Sequence, residues 1–373
     1  MNETPNKATM SILIEGQSVG STYVVERFLG EGAFAEVYRV QHRFLGRQAM
    51  KVLKQRGMEL SELEKTLSEA ILLSKIGHPN IIRVFDANIT TQGDSTIGYF
   101  TMEYVPGGSL DNYWKSYQDT FMPIKQAVDV LTQVCTGLTV AHSESPPIIH
   151  RDIKPQNILI GYNEAGMIAR LADFGLAKQV NALTLLASCQ GTLGFKPPES
   201  FKNMDSCAAD VWAIGTTLYL LLTNVLPYPS LEDRDISDAH RFLNTLRPAS
   251  LYNLNVDPLL DSIVNRCLAR DPNCRYPNAT VLLEDLNKWK QNSIAPNNVR
   301  ANPTEEAYKG SSERKEDIEV DLCKIVKNAI ELSKHPGKLH IAADMLEEAI
   351  SKDRTLRDKY ESQLKLWRKG MCM

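Results

Sequence analysis

The densest polar chemistry in this chain runs from His150 to Asn157, as His150-Arg151-Asp152-Ile153-Lys154-Pro155-Gln156-Asn157. Within eight residues an acid, an imidazole, an amide and two cations stand together, with apolar runs on either side. Sixteen residues after Asn157 comes a second carboxylate, in Asp173-Phe174-Gly175. A carboxylate can take a proton, a lysine can steady negative charge, and an amide with a second carboxylate can hold a hard cation. Those are the groups that moving a phosphoryl group needs, because that reaction asks for positioning and charge neutralisation more than covalent help.

The elements that must position these residues begin at Thr22, where the pattern turns β-type. Tyr23-Val24-Val25 leads into Phe28-Leu29 and then Gly30-Glu31-Gly32-Ala33-Phe34-Ala35-Glu36-Val37-Tyr38. Glycines between two β-rich runs suggest a hairpin whose backbone can approach a ligand, though alone they equally fit an ordinary glycine turn. Ala49-Met50-Lys51-Val52 follows as a strand with one lysine among apolar neighbours. A lone strand lysine is usually an edge charge, but this one comes where the next strand of the same sheet is due. Leu60, Leu63, Leu67, Ile71 and Ile76 give residues 59–76 a helical period, with Glu69 on that helix. Residues 81–85 and 98–104 read as two more strands, so this part is a mostly antiparallel sheet with one helix.

After Ser109 the chain is mainly helical. Helices are expected near 128–141, 207–223, 257–269 and 278–290, with a short hairpin through Gly161 to Gly166. Residues 176–199 form a long connection, and such connections in compact domains are usually functional. Residues 291–316, rich in Pro, Asn and charge, read as a linker, and three helical pieces follow within 317–373. Residues 1–20 read as a polar leader with a strand-like run at 11–14.

Bulk properties narrow the class. The chain has 373 residues, 43% hydrophobic and 23% charged, with a formal net charge of -3, which carries no nucleic-acid signal. Its 7 cysteines show no paired short spacing, which argues against zinc or a disulfide framework and for reduced thiols in the cytoplasm. The run from Val211 to Leu222 is too short to span a bilayer and reads as a buried helix.

Taken in order, Gly30-x-Gly32-x-x-Ala35-x-Val37, Ala49-Met50-Lys51, Glu69, His150-Arg151-Asp152, Asn157, Asp173-Phe174-Gly175 and Pro197-Pro198-Glu199 resemble the eukaryotic-type (Hanks-type) serine/threonine protein kinase family over about 22–290. The resemblance implies an α+β bilobal kinase fold over 21–290, with a β-rich small lobe to about 105 and a helical large lobe to about 290. A C-terminal helical appendage would follow. Ala35 stands where the family has a third glycine, and Pro197 where it usually has alanine.

By that resemblance, Leu29, Gly30, Gly32, Val37 and Ala49 would enclose ATP. Lys51, paired with Glu69, would hold its phosphates, and Met102, Glu103 and Val105 would form the adenine-binding hinge. Asn157 and Asp173 would hold Mg2+, with Mn2+ as a substitute. Asp152 would accept the substrate hydroxyl's proton and Lys154 would stabilise the transferred charge. His150 would pack, Asp210 would anchor the loop backbone, and Glu199 would pair with Arg275. Lys154 and Thr192 follow the serine/threonine pattern.

Arg151 before the base resembles the subclass controlled by loop phosphorylation. Phosphorylated Ser188, or alternatively Thr184, would be gathered by Arg151, Lys178 and Lys65. Autophosphorylation implies a transient homodimer. In the tail, Ala342-Ala343-x-Met345-Leu346-x-x-Ala349-Ile350 resembles a tetratricopeptide-type helix, too few repeats to stand alone. It would dock on the kinase lobe or bind a partner protein. The expected function is a soluble, cytoplasmic serine/threonine kinase acting on proteins, of bacterial type, with neither nucleic-acid nor membrane partners. The alternative is a nucleotide-binding scaffold that works through its tail.

Overall fold

A computed structural model describes residues 11–32, 35–54, 76–92, 95–117, 120–163, 166–174, 193–202, 204–228 and 239–294, and tail residues 326–327, 329–334, 339–352, 355–368 and 370–371. The chain divides into two compact units. One comprises Met1–His78, Ile82–Tyr104 and Phe174–Ser188, the other Pro79–Ile81, Val105–Asp173 and Cys189–Met373. Among the described residues no helix is long and apolar enough to cross a membrane.

The first unit is an antiparallel sheet. Its strands β1 (Ser18–Val19), β2 (Tyr23–Glu31), β3 (Ala35–His42), β4 (Gly46–Leu53), β5 (Val84–Gln92) and β6 (Ser95–Glu103) stand in the order β1-β2-β3-β4-β6-β5. Directly opposed residues of antiparallel strands share a face, as do alternate residues along one strand. Val37 opposes Lys51, Lys51 opposes Phe100, and Ala49 opposes Met102. These five therefore line one face. Tyr38, Val40, Met50, Val52 and Tyr99 alternate with them and fill a core on the other face with Val19, Tyr23 and Val25.

Leu13 belongs to that core and is 2% exposed. The Ile12 amide donates to Glu36 Oε2 at 2.8 Å and the Leu13 amide to Tyr38 Oη at 3.0 Å. The segment read as a polar leader with a strand at 11–14 thus forms no strand there and is pinned by one apolar side chain. Burying a leucine is worth about 2 kcal/mol. Strand β5 begins at Val84, so residues 81–83 of the expected strand lie outside it, and it runs on to Gln92, while β6 starts at Ser95 instead of 98. The β-branched residues Ile89, Thr90 and Thr91 continue the ladder opposite Gly98, Ile97 and Thr96, and such residues suit a pleated surface even when polar.

The second unit is built on helices. After α1 (Leu110–Lys115) come α2 (Ile124–Ser143), the hairpin β7 (Ile158–Asn163) with β8 (Gly166–Leu171), then α3 (Cys207–Thr223), α4 (Pro258–Cys267) and α5 (Ala279–Ile294). Helix α3 is apolar all round, and Val211, Trp212, Ile214, Leu218, Leu221 and Leu222 are buried. Its ends are fixed locally. Ser206 Oγ accepts from the Ala209 amide, and Asn224 closes the helix in a left-handed conformation. A side chain at Gly107 would overlap the Ile160 carbonyl oxygen, so the turn before α1 requires glycine to lie against β7.

In the tail, α6 (Leu339–Lys352) and α7 (Thr355–Arg368) enclose Ala342, Ala343, Met345, Leu346, Ala349 and Trp367. Tyr162 at the end of β7 packs against that cluster.

Candidate active site

The segment around Asp152 is held from beneath by α3. Asp210, on its first turn and 1% exposed, accepts the His150 amide on Oδ2 at 2.7 Å and the Arg151 amide on Oδ1 at 2.9 Å. His142 Nε2 lies 3.0 Å from the same Oδ2, while His142 Nδ1 accepts the Ala279 amide at 3.2 Å. That second bond puts the imidazole proton on Nε2, aimed at the carboxylate. Burial pushes the Asp210 carboxyl upward, but the hydrogen bond from His142, the amide of His150 and the electrostatic pull of the two rings outweigh it and hold it below its ordinary value. An ionised carboxylate with fixed donors is thus built into the helix end.

His150 is itself fully buried. Its Nδ1 accepts the Asp152 amide at 3.2 Å and its Nε2 donates to Ala172 O at 2.9 Å. Burial lowers its pKa, against the pull of Asp210 and Asp152, so it is a neutral packing residue. It joins the Asp152 segment to Ala172, the residue before Asp173.

Asp152 is ringed by donors. Lys154 Nζ stands 2.9 Å from Oδ2, and Asn157 Nδ2 donates to Oδ2 at 2.9 Å and to the Asp152 carbonyl at 2.8 Å. The short helix Pro155–Asn157 brings Asn157 back over Asp152, with Pro155 presetting its first turn. Because Asn157 spends its NH2 on Asp152, its oxygen is the end it can offer a cation. The Ala172 amide donates to Asn157 O at 2.8 Å, which sets Asp173 beside Asn157. Arg151 and Asp173 both have left-handed backbones, φ 70° and 65°. Such strain costs about 1–3 kcal/mol per residue and persists only where surroundings over-determine it. At Arg151 the Asp210 bonds do so.

In the first unit, Val37, Ala49, Lys51 and Met102 share the face described above. Gly30 opposes Val37. Neither Gly30 nor Gly32 has a positive φ, and a side chain on Gly30 would meet nothing within 4 Å. Among the described residues, neither a positive φ nor a close neighbour requires glycine at these two positions. Leu29 is half exposed beside them, Glu103 closes β6, and Val105 is buried in the second unit. Lys65, Glu69, Lys178, Thr184, Ser188 and Thr192 lie outside the described residues.

Arg275 grips Glu199 with both nitrogens, at 2.5 Å and 2.8 Å, stacks over Trp212 at 4.7 Å and donates to Ala269 O at 2.6 Å. Several partners escaped the sequence reading. Lys196 Nζ donates to Arg151 O at 2.5 Å, Asp205 Oδ2 accepts from Arg151 Nε at 2.7 Å, and Asp111 accepts from Gln156 Nε2 at 2.8 Å. None stands in a motif. Only the position of Asp205 immediately before a helix cap hinted at a fixed carboxylate.

Comparison with known proteins agrees with this geometry. The family model for the protein kinase domain matches residues 23–286. A probable serine/threonine-protein kinase of Clostridium acetobutylicum is 30% identical over 285 residues, 75% of this chain and 41% of that protein. The serine/threonine-protein kinase PknB of Mycolicibacterium smegmatis is 30% identical over 278 residues, 72% of this chain and 43% of that one. The chain therefore spans about two fifths of the length of these curated relatives. The crystal structure of a double mutant of the Mycobacterium tuberculosis PknI kinase domain superposes with a TM-score of 0.57 at 24% identity, over 74% of this chain and 99% of that domain. With the kinase domain matched across most of its length and an Asp152–Lys154–Asn157 cluster anchored on a buried helix, this chain belongs to the protein kinase family.

Proposed function

We propose that the chain transfers the γ-phosphate of ATP to serine and threonine hydroxyls of protein substrates, with Asp152 as the proton acceptor. The observation that carries the reading is the Asp152 carboxylate, oriented by Asn157 and paired with Lys154 Nζ at 2.9 Å. A base so placed can take a hydroxyl proton while the adjacent ammonium balances charge on the phosphoryl group. The names of the relatives, and Lys154 itself, support serine and threonine over tyrosine.

Asn157 and Asp173 suit Mg2+, a hard cation that takes few protein oxygens and completes its shell with phosphate and water. When bound, the ion would neutralise phosphate charge. The residues' own task is to hold it beside Asp152, which the Asn157–Asp152 and Ala172–Asn157 bonds support. Lys51, opposite Val37 and Phe100, would bind the ATP phosphates, with Glu69 as its expected partner. For the tail, the contact with Tyr162 supports packing on its own unit over service to a partner.

Transfer from radiolabelled ATP to a mixed protein substrate tests the reading. Wild type should label it and Asp152→Asn should lose at least a hundredfold in rate, as general acid–base catalysis contributes about 10²–10⁴-fold. Equal labelling by the two, or none by the wild type, favours the scaffold reading.

A further inference from the structure

Arg151 is engaged on every side. Its amide donates to Asp210, its carbonyl accepts from Lys196, and its Nε donates to Asp205 Oδ2 at 2.7 Å. Asp205 precedes Ser206, the N-cap of α3, where the positive end of a helix favours a carboxylate. Arg151, Asp152, Lys196 and Asp205 line one small cavity. The guanidinium's charge beside the base is therefore already met by an acid of the chain itself.

We propose that Asp205 is a positioning residue for phosphotransfer, neutralising and fixing Arg151 so that transfer does not wait for a phosphate on residues 176–195. The proposal rests on the phosphotransfer reading above. A guanidinium cannot shed its charge. Without Asp205, the carboxylates left lining that cavity are Asp152 and Asp210. Pairing with Asp152 would compete with Lys154 and weaken the base, because an opposite charge favours the ionised carboxylate. Pairing with Asp210 would disturb the two amide bonds that shape the loop. With side-chain exposures of 21% and 39% the Arg151–Asp205 pair adds little stability, so its value lies in where it holds the guanidinium.

The test compares steady-state phosphotransfer by untreated wild type, wild type stripped of phosphate by a protein phosphatase, Asp205→Asn and Asp205→Glu, with melting temperatures of all four. Stripped wild type should keep its kcat within about twofold. Asp205→Asn should lose tenfold or more in kcat at unchanged KM for ATP, since misplacing a reacting group by about 1 Å can cost on the order of 10²-fold. Asp205→Glu should recover most of it, which a loss of folding alone would not predict. A tenfold fall on phosphatase treatment, or Asp205→Asn with wild-type kcat, overturns the proposal while leaving the kinase reading standing. Failure of untreated wild type to transfer phosphate overturns both.

Discussion

The Asp210 carboxylate accepts the His150 amide at 2.7 Å from 60 residues away in sequence, so the shape of the Asp152 segment is stored in a buried helix. The loop's own bonds, from Asn157 to Asp152 and from the Asp152 amide to His150, complete that shape, and the anchor holds the strained backbone of Arg151.

Asp210→Asn tests that anchor. The carboxylate meets two amides and the His142 imidazole on two oxygens, whereas an amide has one oxygen and turns an NH2 toward a donor. A buried donor is left unmatched at a cost of about 3 kcal/mol. Urea unfolding should show a midpoint lowered to match, and phosphotransfer well below the transition should fall as well. An unchanged midpoint would show that the anchor is not needed.

The pH dependence has two stages. His150 has a folded pKa below its ordinary 6.5 because of burial. As pH falls through about 6.5 the unfolded chain takes a proton that the folded chain refuses, and stability drops. His78, lowered by desolvation, adds the same sign. Asp210 lies below its ordinary 3.8, so its contribution stands above that value and is lost as pH falls through the folded pKa. Unfolding free energies measured between pH 7.5 and 5 should slope less in His150→Gln than in wild type. Parallel slopes would mean that burial does not lower the pKa of the imidazole.

Much of this architecture is legible in the sequence, for identifiable reasons. Helix α3 stands where an apolar run flanked by Ser206 and Asn224 puts it, because all-round hydrophobicity and caps are local signals. The packing role of His150 was legible too, because Asp152 beside it is the expected base, whereas its neutrality comes from burial, which no local pattern displays. The burial of Leu13 was not legible, because the short run Ile12-Leu13-Ile14 fits a strand as well as a tucked segment and its burial depends on strands 10 to 86 residues later, from Tyr23 to Tyr99. Asp205 and Lys196 were hidden for the same reason. Their partner is Arg151, 54 and 45 residues away, and long-range pairing of single polar residues leaves no local pattern.

The Glu199–Arg275 pair should be strongly coupled. Both side chains are nearly inaccessible, and Arg275 also serves backbone carbonyls. Removing either partner leaves a buried charge, at about 3–5 kcal/mol. Glu199→Leu and Arg275→Met made singly should each destabilise by that order, and the double variant by clearly less than their sum. Additive losses in a double-mutant cycle of denaturation midpoints would show the two residues to be independent.

Trp367 locates what the tail contributes. It is 2% exposed in a cluster formed by α6, α7 and Val326, with Tyr162 packed against it. Truncating a buried tryptophan costs about 3–5 kcal/mol. A cluster of this size, built largely on alanines, has little stability to spare, so the loss should fall on the tail first. Hydrogen exchange of Trp367→Ala should quicken in residues 339–368 and leave residues 207–223 of α3 as slow as in wild type. Tyr162→Ala should loosen the same helices, more weakly, because it removes the hairpin's side of the contact alone. If Trp367→Ala instead quickens α3 to the same degree, the tail and the helical unit unfold as one, and the appendage is part of that unit's core.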